Sequence, residues 1–176
     1  MYRQLCLAIV FAAAANAAFA QTPYTGMQAR PIKALSDQQV ADLQAGRGMG
    51  LALAAELNGY PGPSHLLELA NQLGLSDGQQ RRIQGLFEAM KAEAIPIGER
   101  LVSQEKALDT LFATHTATPE AIAAATGMIG DTQAKLRAAH LKYHLSTVEL
   151  LQPAQVQRYA ELRGYAAGGE QHHHPR

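Results

Sequence analysis

Two histidines stand in Ala138-Ala139-His140-Leu141-Lys142-Tyr143-His144-Leu145, late in a long helical run that opens near Thr118-Pro119-Glu120. Four residues on a helix are about one turn, so both imidazoles share a face. Neutral imidazole is the commonest nitrogen ligand for Zn, Ni, Co or Cu, and such a pair supplies half a site. Zinc mostly takes four ligands, so the fold must bring the others. The competing reading of the pair is two half-exposed histidines flanking a packing seam.

The elements that position the pair follow from periodicity. Ile83, Met90, Ile97 and Leu111 fall at multiples of seven, as do Phe87, Ala94, Leu101 and Leu108. Ile122, Ile129, Leu136, Tyr143 and Leu150 make a third such series. Each is the seam of a long helix in a coiled-coil-like pairing. The loop Thr114 to Thr118 is too short for anything but an antiparallel hairpin. The spacing predicts helices over about Ser76–Phe112, with a kink at Pro96, and from Thr118 to Leu151. Shorter helices are expected over Ser36–Asn58, Ser64–Leu73 and Pro153–Tyr165, giving four to five in all. The fold class is all-α: an elongated antiparallel hairpin with short flanking helices. A 37-residue helix is roughly 55 Å long at the α-helical rise. Its apolar flanks call for a partner, most simply a second copy in a homodimer.

Three helix starts share a pattern: Leu35-Ser36-Asp37-Gln38-Gln39, Leu75-Ser76-Asp77-Gly78-Gln79 and, without the serine, Leu151-Gln152-Pro153-Ala154-Gln155. Ser at the N-cap with Gln three residues on is a capping box. Pro153 suits the first helical position. Gly46, Gly48 and Gly50 lie inside the first expected helix. They lack phosphate-loop spacing and read as close packing or a bend.

The hairpin register, centred near Thr116, sets residues 88–92 opposite His144 and His140. Glu88, Met90 and Glu93 lie in that window. The short second helix folds back at Gly74 and carries His65 and Glu68 towards the same level. The candidate ligand set is therefore His140, His144, His65 and one of Glu68, Glu88 or Glu93. Nitrogen ligands with one carboxylate suit Zn, Ni, Co or Cu(II). His172, His173 and His174 form a further metal-binding possibility in the tail.

Residues 1–20 have the form of a secretory signal peptide: Arg3, an apolar run from Leu5 to Ala15, and Ala18-Phe19-Ala20 before the cut. The run is short for a membrane span, so none is expected after cleavage. The expected organisation is signal peptide 1–20, flexible lead-in 21–34, hairpin domain 35–166 and disordered tail 167–176. Cleavage removes Cys6 and leaves 14 basic against 15 acidic side chains, a net charge of −1. That balance gives no electrostatic case for nucleic acid. An exported chain without cysteine points to the periplasm. No G-x-S-x-G elbow, phosphate loop or H-E-x-x-H motif occurs, so no enzyme is expected.

The signal peptide, the all-helical domain and the repeated L-[ST]-x-x-Q-type starts resemble the Spy/CpxP superfamily of periplasmic stress proteins over about residues 35–165. His140 and His144 on the penultimate helix resemble its heavy-metal resistance and metal-sensing branch. The resemblance implies a hooked, usually dimeric hairpin. It also implies either metal sensing linked to a membrane signalling protein, or ATP-independent chaperoning of unfolded clients on an apolar, concave face. Chaperone members tend to be basic on that face, whereas this chain is near neutral.

Overall fold

The computed structural model describes residues 24–165, which hold six α-helices and no strand. The long elements stand as the periodicity requires: α4 spans Asp77–Ala113 and α5 spans Pro119–Val148. They pack on one another as an antiparallel hairpin. α4 continues through Pro96, which lies on its exposed side. Thr118 caps α5, its hydroxyl accepting from the Ala121 amide at 3.2 Å, and Pro119 takes the first helical position.

The region before the hairpin departs from expectation. The single helix expected over Ser36–Asn58 is two: α1 at Asp37–Gln44 and α2 at Leu53–Glu56. Between them Gly46 and Gly50 adopt φ of 65° and 78°, and Met49 adopts 47°. Left-handed backbone cannot continue a right-handed helix, so the glycines act as breaks rather than bends. The helix expected from Ser64 to Leu73 is also shorter. α3 covers Pro63–Glu68, with Gly62 at its N-cap, and turns lead on to Gly74 at φ 59°. Pro63 fixes that start because its missing N–H would go unbonded there anyway. α6 spans Pro153–Leu162. Six helices therefore replace the expected four to five.

Both serine capping boxes form. Ser36 accepts from the Gln39 amide while Gln39 accepts from the Ser36 amide, and Ser76 and Gln79 repeat the exchange. The third start keeps the glutamine half: Gln155 accepts from the Gln152 amide at 2.9 Å. The motif also does something that local capping does not explain. Gln79 Nε2 donates to Gln155 Oε1 at 2.8 Å and to the Leu150 carbonyl at 2.9 Å, so the second and third copies clasp the starts of α4 and α6 together.

Two apolar clusters hold the molecule. Leu66, Ala70, Leu73, Leu75, Ile83 and Tyr159 join α3, the start of α4 and α6. Leu43, Ala94, Leu101, Ile129 and Leu136 join α1 to the middle of the hairpin. α1 approaches α4 so closely that a Cβ on Gly98 would meet the Leu43 carbonyl oxygen at 2.3 Å. Ahead of α1, Ile32 is buried and Lys33 pairs with Asp109 at 3.0 Å, which ties the chain down near the far end of α4. Among the described residues no helix is long and apolar enough to cross a membrane. Residues 1–20, expected as a signal peptide, and the His172–His174 tail lie outside the described residues.

Candidate functional site

Met90, His140 and His144 fall between the stretches of α4 and α5 that feed the two apolar clusters. There the hairpin seam turns polar. Residues 125, 129, 132, 136, 139, 140, 144 and 147 are the buried positions of α5, so both histidines lie within the seam rather than beside it. His140 is 2% exposed and His144 8%. α2 and α3 cover them and leave a cleft of about 580 Å³. Four of the six candidate ligands line this one cavity: His140, His144, His65 and Glu68, with Met90 and Phe87 among the apolar walls.

The other two are engaged elsewhere. Glu93 bonds Lys142 at 2.5 Å and accepts from the Tyr143 hydroxyl at 3.1 Å, and it does not line the cleft. The Lys142 ammonium, with help from the Tyr143 hydroxyl, holds the Glu93 carboxyl below the usual carboxylate range. Glu88 lies on the exposed face and accepts from Gln84. The hairpin register thus carries Glu93 to Tyr143 and Lys142 rather than to His140 or His144.

The two seam histidines differ in their bonding. His144 Nδ1 lies 2.6 Å from the Tyr60 carbonyl oxygen. A carbonyl can only accept, so Nδ1 carries the proton and the neutral ring keeps its lone pair on Nε2. His140 Nε2 is sealed from solvent and has no hydrogen-bond partner. Burial, and then the neighbouring His144, lower the pKa of His140 below the ordinary histidine value, which keeps its ring neutral. The site therefore sets two imidazoles one helical turn apart, His144 bonded through Nδ1 and His140 with Nε2 unpartnered.

The most heavily bonded residue here is one that sequence reading passed over. Glu56, on α2, is 5% exposed. Its Oε1 accepts from the Tyr159 hydroxyl, from His65 Nδ1 at 3.3 Å and from the Tyr165 hydroxyl at 3.3 Å. Its Oε2 accepts from the Gly62 amide at 3.2 Å and lies 3.8 Å from His144 Nδ1. Burial pushes the Glu56 carboxyl up, but the donors from His65, Tyr159 and Gly62 outweigh it and hold the group down to about 2. Burial and then the Glu56 carboxylate drive the Tyr159 phenol far above its ordinary range. One signal in the sequence marks Glu56: it is a lone charge within Leu51-Ala52-Leu53-Ala54-Ala55-Glu56-Leu57.

Among the described residues, no three His, Cys, Asp or Glu side chains are grouped closely enough to hold a metal ion. The cavity brings the candidates to one place, while His65 and His144 each commit Nδ1 to the protein. The donor types are those a borderline divalent ion takes: three imidazoles and the Glu68 carboxylate line the cleft. The chain matches no family model, no curated protein and no solved structure.

Proposed function

We propose that this protein binds a divalent transition-metal ion, Zn, Ni, Co or Cu, through His140 and His144, and serves in the periplasm as a metal sensor or resistance protein of the envelope. The observation that carries the reading is His140 Nε2. A buried ring nitrogen without a hydrogen-bond partner calls for an explanation, and a bound ion is one. A metal ion is small enough to reach such an atom, since Zn–N bonds are about 2.0–2.1 Å. His144 supports it by the pattern common in metal sites, where a ligating histidine gives its other N–H to a carbonyl or carboxylate. His65 and Glu68 are the nearest candidates to complete the set. The likeness to the Spy/CpxP superfamily's metal-sensing branch points the same way and adds a homodimer and a membrane signalling partner to the proposal.

Calorimetric titration of the purified protein with Zn²⁺, Ni²⁺, Co²⁺ and Cu²⁺ tests it, with the His140→Ala/His144→Ala double variant alongside. Tight binding near one ion per chain or per dimer, lost in the double variant, is the expected result and names the metal. Equal isotherms for the two proteins would remove the site.

One observation favours a second reading. Phe112, Met128 and Leu145 are each more than half exposed along the hairpin. A holdase chaperone would present such side chains to unfolded clients. In that case the double histidine variant suppresses client aggregation as well as the parent does, and replacing Phe112 and Met128 by serine abolishes the effect.

A further inference from the structure

We propose that Glu56 is the positioning residue of the imidazole cluster, holding His65 and His144 as Nδ1–H tautomers whose Nε2 lone pairs are left free for a ligand. The identity of that ligand rests on the metal reading above; the tautomers rest on geometry alone. Glu56 Oε1 faces His65 Nδ1 at 3.3 Å, and an ionised carboxylate has no proton to give, so the ring must donate. For His144 the same carboxylate works through the chain. Glu56 Oε2 accepts from the Gly62 amide and thereby fixes the Tyr60–Gly62 turn, whose Tyr60 carbonyl receives the His144 proton.

The turn is shaped around that ring. A Cβ on Gly62 would fall 2.7 Å from His144 Cε1 and 2.8 Å from Nε2. Gly62 has φ −82° and ψ 155°, a conformation open to any residue, so glycine is needed there for space and not for backbone freedom. The imidazole occupies the volume that a side chain at 62 would take. Glu56 itself is already committed to Tyr159, Tyr165, His65 and Gly62, and lies 3.9 Å from Arg163 Nε. Ligating an ion would mean surrendering those donors. It acts through the rings, as the outer carboxylate of a carboxylate–histidine–metal arrangement does.

The test is long-range ¹H–¹⁵N NMR of the histidine rings in the purified, metal-free protein near neutral pH, followed by Zn²⁺ titration. Both His65 and His144 are expected with the proton on Nδ1. In Glu56→Gln, His65 is expected to lose that preference, and Zn²⁺ affinity to fall roughly 10- to 100-fold. Gly62→Ala should displace His144 while leaving the His65 tautomer unchanged. Should Glu56→Gln fail to fold, the parent spectrum and Gly62→Ala still decide. Either ring protonated on Nε2 in the parent protein overturns the proposal, as do unchanged tautomers and affinity in a folded Glu56→Gln. A parent protein that binds no Zn²⁺ removes the metal reading instead, and the ring nitrogens still report on Glu56.

Discussion

At its closed end the hairpin leaves Phe112 and Met128 more than half exposed and finishes in the hydroxyls of Thr114 and Thr116, 2.9 Å apart. At its open end the same two helices bury two histidines, and α2, α3 and α6 are laid over them around a buried glutamate. Helix pairing, with the Lys33–Asp109 ion pair beside it, accounts for the closed end. It does not account for the open end, where leucines at His140 and His144 would continue the seam and avoid the desolvation of polar groups. Polar burial kept against that cost, beside a cleft, is the physical mark of a working site. The contrast separates a stretch that helix packing explains from one that packing alone does not.

The sharpest way to break the contrast is Glu56→Ala. It strands the Tyr159 hydroxyl, the Gly62 amide and His65 without their acceptor, and loss of one partner from a buried charged network costs about 3–5 kcal/mol. Urea unfolding should show that loss.

Acid tests the same group without mutation. The Glu56 carboxyl sits at about 2 in the folded chain against an ordinary 4.5. A lowered folded pKa gives stability that is present above the ordinary value and lost as pH falls. The window is therefore about 4.5 down to 2, and the loss is on the order of 3 kcal/mol. Thermal melts across that window should show it, and Glu56→Gln should flatten the profile.

The smallest effect belongs to the closed end. Phe112→Ser and Met128→Ser remove exposed side chains and should change stability by less than about 0.5 kcal/mol in the same urea experiment. A large loss there would mean that the closed end is covered in solution, and the two ends would no longer differ in kind.

The hairpin was legible because its seam residues recur every seven positions over five turns or more, a signal that single substitutions do not erase. The serine capping boxes were legible because they depend on neighbours three residues apart. His140 and His144 were legible as a pair, but not their depth, because burial on α5 depends on α2 and α3 folding over them. The break at 45–52 was missed because glycine within a helical pattern does not reveal the sign of φ. Glu56 was missed for a related reason. Its partners Tyr159 and Tyr165 are more than a hundred residues away, and no local spacing encodes that meeting.

The Gln79–Gln155 clasp joins positions 76 apart in the chain. Closing so long a loop from an unfolded chain is entropically slow work, with a cost that grows as the logarithm of its length. Almost all of that span is the hairpin itself, which folds on local contacts and returns the chain to where it began. Once α4 and α5 have paired, the search that remains is over a handful of residues around Leu151. Pairing of α4 and α5 therefore shortens the loop that the clasp has to close.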